Sequence, residues 1–332
     1  MSEAIILCNT PEHVRTVYGA GRRETLAERV DLFPEVLTGE DLDARISELA
    51  SVRFIFSTWG MPPLSEDQIR RVFPSLEAVF YAAGSVRGFA EAFLNCGVTV
   101  VSGWAANAIP VAEFTVAQIL LANKGFYANS RDCASVETRG NPYRGPGNFG
   151  ETVSLLGAGM IGRGVVERLK PFELRILVWD PFLAAGDARQ LGVEQAGSLD
   201  EAFGRGFVVS NHLANVPETV GLLKRSHFEN MRPHATFINT GRGATVVEKD
   251  LADVLRTRPD LYALLDVTDP EPPDITSPFY ELKNVILSGH IAGSMNDEVV
   301  RMADFVIEEF GRLRAGEPLR YTVTRSMLAT MA

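Results

Sequence analysis

Few features narrow the folds open to this chain as sharply as the run Thr152–Leu156 followed at once by Gly157-Ala158-Gly159-Met160-Ile161-Gly162. The first segment is β-branched and apolar and reads as a buried strand, and Ile161–Leu169 reads as a helix. In a GxGxxG turn the first glycine permits the tight bend, and the second lets backbone N–H groups approach a pyrophosphate. The third lets the helix lie close to the strand, so the helix N-terminus faces the anion. Asp180 closes the next strand candidate, where a carboxylate can accept hydrogen bonds from ribose hydroxyls and repel a 2′-phosphate. The plainer alternative is a tight turn with Asp180 as a helix cap. The agreement of strand, turn, helix and acidic residue favours a dinucleotide, with NAD preferred over NADP.

Strand-like and helix-like stretches alternate along the rest of the chain, which predicts an α/β fold with parallel sheets. Strands are expected at Ala4–Cys8, Arg53–Ser57, Ala78–Tyr81 and Val98–Val101, enough for one small sheet domain. A long helix is expected over Ile109–Asn123, followed by the turn-rich stretch Thr138–Asn148. A second series of strands is expected at Thr152–Leu156, Arg175–Trp179, Phe207–Asn211, Thr236–Asn239, Leu261–Asp266 and Asn284–Leu287. The helical run Asp297–Leu313 is expected to pack back on the first domain. A length of 332 residues, 46% of them hydrophobic, supports two cores. The 42 acidic against 32 basic residues give a net charge of −10, which argues against nucleic acid and anionic membrane surfaces as partners. The N-terminus Met1–Leu7 lacks a basic n-region and soon turns polar, and the longest apolar segment, Val111–Ala122, is interrupted by Glu113 and Gln118, so neither an export signal nor a membrane span is expected. Cys8, Cys96 and Cys133 form no metal or disulfide pattern, and the expectation is a reduced, cytoplasmic setting without a bound metal.

Three positions in the second half could supply proton-transfer chemistry. Asn239-Thr240-Gly241-Arg242-Gly243 ends a strand with an arginine between glycines, suited to presenting a guanidinium to an anion. Asp266-Val267-Thr268-Asp269-Pro270-Glu271-Pro272-Pro273 places an acid in a proline-stiffened loop. Leu287-Ser288-Gly289-His290-Ile291-Ala292-Gly293 puts a histidine just past another strand. Taken singly, each has a plain reading: a paired arginine, a solvated glutamate, a surface histidine. His13, His227 and His234 read as surface residues, and His212 as a structural group at a strand end.

The order Arg, Glu, His in these contexts resembles the D-isomer-specific 2-hydroxyacid dehydrogenases, in particular the glycerate, glyoxylate and hydroxypyruvate reductase branch. The resemblance extends over Asn107–Glu113, the glycine turn, Trp179-Asp180-Pro181, Pro217-Glu218-Thr219, the NTGRG turn, DVTDPEP and GHIAG. It implies two Rossmann-like domains with a cleft between them. One is a doubly wound NAD-binding domain over 104–295, and the other a smaller flavodoxin-like substrate domain made of 1–103 and 296–332. It implies His290 as acid/base, Glu271 holding and tuning it, and Arg242 binding the carboxylate and polarising the carbonyl. Thr240, Asp266, His290 and Gly293 would join the cofactor site, with Asp266 on the nicotinamide carboxamide. Trp59, Gly84, Ser85, Val86 and Asn107 would meet a small 2-hydroxy or 2-oxo acid, and a homodimer is implied. The chain has Ser288-Gly289 where the family commonly has threonine–proline, and Gly84-Ser85-Val86-Arg87 where a GxG-type loop is usual. Ser57–Gly60 has no basic cluster for a phosphate, which disfavours phosphoglycerate and leaves glyoxylate and hydroxypyruvate as the leading substrates. A formate dehydrogenase-like enzyme is a rival, although that branch uses Gln at the position of Glu271. An NAD(H)-sensing regulatory binding protein of the same fold is the other.

Overall fold

Consecutive apolar residues produce strands buried on both faces, which in a parallel sheet covered by helices replace the usual in–out alternation. The structure, a computed structural model, describes residues 2–140 and 143–328. Asn141 and Pro142 of the turn-rich stretch, and residues 329–332 of the expected substrate domain, lie outside the described residues. The chain divides into two compact units, Met1–Asn107 with Ser294–Ala332, and Ala108–Gly293.

The first unit holds β1 (Ala4–Leu7), β2 (Leu32–Leu37), β3 (Phe54–Ser57), β4 (Ala78–Tyr81) and β5 (Thr99–Ser102), in the order β2-β1-β3-β4-β5 and all parallel. This is the flavodoxin-like order. β1, β3 and β4 are buried throughout. β2 was not foreseen: it contains Pro34 and Glu35 and is largely unburied, both tolerated because it is an edge strand. Phe310, on the helix Val300–Arg314, sits 5.1, 5.3 and 5.5 Å from the rings of Phe54, Phe56 and Phe80. The C-terminal helix therefore completes the core of a sheet built from the first hundred residues.

The second unit holds β6 (Phe149–Leu156), β7 (Glu173–Trp179), β8 (Glu194–Gln195), β9 (Val208–Asn211), β10 (Thr236–Asn239), β11 (Tyr262–Leu265) and β12 (Val285–Leu287). Their order is β12-β11-β10-β9-β6-β7-β8, again all parallel. β8 escaped the sequence because two exposed residues carry no pattern. The chain reverses its direction of winding between β6 and β9, and ligands of such sheets bind beyond the carboxyl ends of the strands at that point.

The helix Trp104–Asn123 begins before the expected Ile109 and runs through Pro110. A proline near a helix start reads as the first turn, but here the alanine-rich residues before it are helical too. They belong to the first unit: Ala106 is fully buried in its core, and the Trp104 ring lies 5.9 Å from that of Tyr321. The units accordingly divide after Asn107 and Gly293 instead of at 103/104 and 295/296. Among the described residues this helix alone is long and apolar enough to cross a membrane, and half of its most apolar window is buried inside the protein. Ala112, Ile119 and Ala122 pack there against Val153, Leu155 and Val165.

Candidate active site

β6 ends at Leu156 and the chain turns immediately. Gly157 has φ of +100°, and a Cβ there would also lie 3.0 Å from the His212 carbonyl oxygen at the end of β9. A Cβ on Gly162 would come within 2.1 Å of the Gly157 carbonyl, so strand and helix meet with no room for a side chain. Gly159 faces open space instead, with nothing within 4 Å of its would-be Cβ. The amides of Met160, Ile161 and Gly162 open the helix Met160–Leu169, where N–H groups have no intrahelical acceptor. Asp180, at the end of β7, accepts from the Ala158 amide at 2.7 Å and the Phe182 amide at 2.8 Å. It thereby fixes the turn while staying partly exposed. Free donors around an open glycine, next to a fixed carboxylate, suit a pyrophosphate and an adjoining ribose. Thr240 is 5% exposed, and its hydroxyl lies 3.2 Å from Thr115 Oγ1 and 3.4 Å from His212 Nδ1. The other His212 nitrogen is 3.0 Å from Ser210 Oγ, and burial pushes this imidazole down to about 4, so it is neutral at pH 7.

The proton-transfer candidates follow β10, β11 and β12. Arg242 donates from Nη1 to the Gly241 carbonyl at 2.7 Å. Among the described residues it has no carboxylate at ion-pair distance. Burial lowers its pKa while the charge of Glu271 opposes that shift, leaving a half-buried cation able to take an anion. His290 has φ of +54°, a left-handed conformation uncommon outside glycine. Its backbone amide donates to the Asp266 carbonyl at 2.9 Å, and its Nδ1 lies 2.7 Å from Glu271 Oε1. The ring is thus fixed through Nδ1, with Nε2 left for other chemistry. Asp266, to which the resemblance gives a cofactor contact, is 2% exposed, and its observed partners are protein groups. Oδ1 accepts from Ser288 Oγ at 2.6 Å and the Ile291 amide at 2.9 Å, and Oδ2 from the Ala292 amide at 3.0 Å. Ser288 thus braces the histidine loop despite the missing proline, and Gly293 closes that loop, partly exposed.

In the first unit the expected substrate residues also follow strand ends. Ser102 Oγ donates to the carbonyls of Ala83 and Gly84 at 2.9 and 2.7 Å. Among the described residues the amides of Gly84, Ser85 and Val86 have no protein acceptor. The Val86 side chain is fully buried in the core, so this residue offers a ligand its backbone alone. Asn107 Nδ2 stands 3.6 Å from the would-be Cβ of Gly84, while its Oδ1 accepts from the Ser294 amide at 3.0 Å. Trp59 follows β3. Its carbonyl lies 2.9 Å from His13 Nδ1, and the two rings meet edge-on at 6.2 Å. The sequence alone marks His13 as a surface residue. It is exposed, yet it lies where the winding of this sheet reverses, between β1 and β3. Only that topology, which needs the unforeseen β2, could have marked it.

A doubly wound sheet whose glycine turn offers free amides beside a fixed acidic residue defines a dinucleotide-binding α/β protein. Residues 116–292 match the D-isomer specific 2-hydroxyacid dehydrogenase, NAD binding domain, and the chain belongs to that family. The chain is 30% identical over 284 residues, 83% of its length, to Bacillus subtilis (strain 168) YoaD, a 2-hydroxyacid dehydrogenase by name, covering 78% of that protein. It is 29% identical over 227 residues, 68% of its length, to the D-3-phosphoglycerate dehydrogenase of Archaeoglobus fulgidus. That match spans 43% of the relative's own length. Among solved structures, the apo form of Rhodotorula graminis D-mandelate dehydrogenase superposes with a TM-score of 0.79. The superposition covers 97% of both chains at 20% identity, a likeness of fold.

Proposed function

We propose that this chain is an NAD-dependent dehydrogenase that interconverts a small D-2-hydroxy acid and its 2-oxo acid. The observation that carries the reading is the 2.7 Å contact of His290 Nδ1 with Glu271 Oε1, in the same unit as the half-buried Arg242 and the glycine turn. NAD, when bound, supplies or accepts the hydride. The remaining work is that of the protein. His290, oriented by Glu271, gives a proton from Nε2 to the carbonyl oxygen during reduction and takes it back during oxidation. Arg242 binds the substrate carboxylate and stabilises charge developing on the reacting oxygen. Within the first unit, the free amides of Gly84, Ser85 and Val86, with Asn107, are the groups suited to meeting a carboxylate, and Trp59 is the side chain suited to limiting substrate size. The second unit, on this reading, binds the cofactor through Gly157, Gly159, Met160, Ile161, Gly162, Asp180, Thr240, Asp266, His290 and Gly293.

The substrates we favour are glyoxylate and hydroxypyruvate. Several relatives bear phosphoglycerate names, but Ser57 and Thr58 are fully buried and the segment to Gly60 has no basic side chain to meet a phosphate. A homodimer is part of the proposal, with Phe126, Val136 and Phe149, exposed at 47%, 88% and 75%, as candidate interface residues. A cytoplasmic setting accords with three unpaired cysteines. The test is NADH oxidation with glyoxylate, hydroxypyruvate, pyruvate and phenylpyruvate. Turnover of at least one is expected, and none on any would favour the regulatory binding protein instead.

A further inference from the structure

The His290–Glu271 contact poses a physical problem. Both side chains are substantially exposed, 49% and 39%. An exposed pair of this kind contributes only about 0–1 kcal/mol and does not by itself hold two side chains in one geometry. Something else must place Glu271. Its own loop, Asp269-Pro270-Glu271-Pro272-Pro273, is rich in prolines, which fix φ and donate no backbone hydrogen bond. The position of Glu271 therefore depends on anchors just before it.

Three anchors are present. Thr268, 7% exposed, donates from Oγ1 to the Pro270 carbonyl at 2.9 Å. Gly243, the neighbour of Arg242, lies so close that a Cβ there would stand 2.0 Å from Thr268 C and 2.5 Å from Asp269 N. The Asp269 amide donates to Glu248 Oε1 at 2.8 Å. Glu248 opens the helix Glu248–Thr257, where an acidic residue ordinarily serves the helix dipole from the surface. Here it is only partly exposed and reaches across to the loop instead. Burial pushes its carboxyl up to about 7, against the lowering effect of the hydrogen bond from the Asp269 amide and with the Asp269 carboxylate adding to the rise.

We propose that Glu248 is a positioning residue for the reaction: its grip on the Asp269 amide sets the proline-stiffened loop so that Glu271 meets His290. This rests on the acid/base reading of His290 and Glu271 given above. With Gly243 packed close against the same peptide, this anchor aligns Glu271 relative to both His290 and Arg242.

The test uses the full chain with Glu248→Ala, Glu248→Gln and Glu248→Asp, and His290→Gln in parallel. The readouts are kcat on whichever 2-oxo acid is turned over, NADH affinity, and hydrogen exchange of the Asp269 and Glu271 amides. Glu248→Ala is expected to lose Asp269 protection and to lower kcat about ten-fold, the scale of a sub-ångström to ångström misplacement, with NADH affinity unchanged. Glu248→Gln, whose amide oxygen still accepts, is expected to restore both. Wild-type kcat in Glu248→Ala, or a Glu248→Gln as impaired as the alanine variant, would overturn the positioning role. If the alanine variant fails to fold, Glu248→Asp, one methylene shorter, should give an intermediate kcat, and wild-type turnover there overturns the role equally. Turnover that survives His290→Gln overturns the acid/base reading, and the positioning role with it. An inactive His290→Gln beside a fully active Glu248→Ala overturns the positioning role alone.

Discussion

Asp266→Asn removes one charge and almost no volume, yet the structure makes it a costly change. The carboxylate is 2% exposed and receives three donors: the Ser288 hydroxyl and the Ile291 amide on one oxygen, the Ala292 amide on the other. An asparagine can place its oxygen on only one side. If it faces Ile291, its NH2 group meets the Ala292 N–H; if it faces Ala292, the NH2 meets the Ile291 N–H, although Ser288 can then reverse and accept. Either way one buried backbone donor is left facing another donor, and the surviving bonds change from charged to neutral. An orphaned buried donor costs about 1–3 kcal/mol and a bond to a charged group is worth about 1.5–3 kcal/mol, so a loss of about 2–4 kcal/mol is expected. For a unit of this size that lowers Tm by roughly 5–12 °C, readable by calorimetry. Because the Asp266 carbonyl and carboxylate together hold residues 288–292, kcat should fall as well. A Tm within about 2 °C of wild type, well below that range, would refute the claim that this carboxylate braces the histidine loop.

His290→Gln should abolish most turnover while NADH affinity, followed by fluorescence, stays close to wild type; turnover near the wild-type rate would sink the acid/base role. NADH should bind far better than NADPH, and Asp180→Ala should narrow that gap while loosening the turn at Ala158; equal affinities in the wild type would remove the role given to Asp180. Glu248 also gives a stability signature, since its folded carboxyl titrates near 7, above the ordinary 4.5. The folded state then binds the proton more tightly than the unfolded one. Its contribution is fully present below about pH 4.5 and is lost as pH rises through about 7, so wild type should weaken relative to Glu248→Gln across that window. The shift corresponds to about 3 kcal/mol at most, and partial exposure reduces it to roughly 1–2 kcal/mol in urea unfolding at pH 5 and pH 8. A difference between the two proteins that does not change with pH would contradict this.

Much of the architecture was legible because buried parallel strands announce themselves as apolar runs: β4 and β10 fall on their expected residues. What escaped were elements whose residues obey other demands. β2 tolerates Pro34 only as an edge strand, and β8 pairs through two polar residues. In the candidate site, GAGMIG was readable since each glycine answers a steric demand, with Gly157 requiring positive φ and Gly162 leaving no space for Cβ. The spacing from Arg242 through Glu271 to His290 was legible as a pattern, not as a geometry. Nothing local marks Glu248 as reaching a loop twenty-one residues later, and nothing local shows that the Asp266 carboxylate turns toward Ser288. Those contacts exist only once β10, β11 and β12 lie side by side.

The C-terminal edge of one sheet carries the glycine turn, Arg242, Glu271 and His290, each fixed by contacts inside Ala108–Gly293. The loops that would choose the substrate belong to a different stretch of chain, Met1–Asn107. On the proposed reading, heredity can edit the two separately: a lineage can exchange its first hundred residues, or vary the neighbourhood of Trp59 and His13, and keep its proton-transfer apparatus intact. A directed library confined to the loops after β1, β3 and β4 should therefore yield altered substrate preference at undiminished NADH affinity, making this chain a natural subject for segment exchange with its relatives.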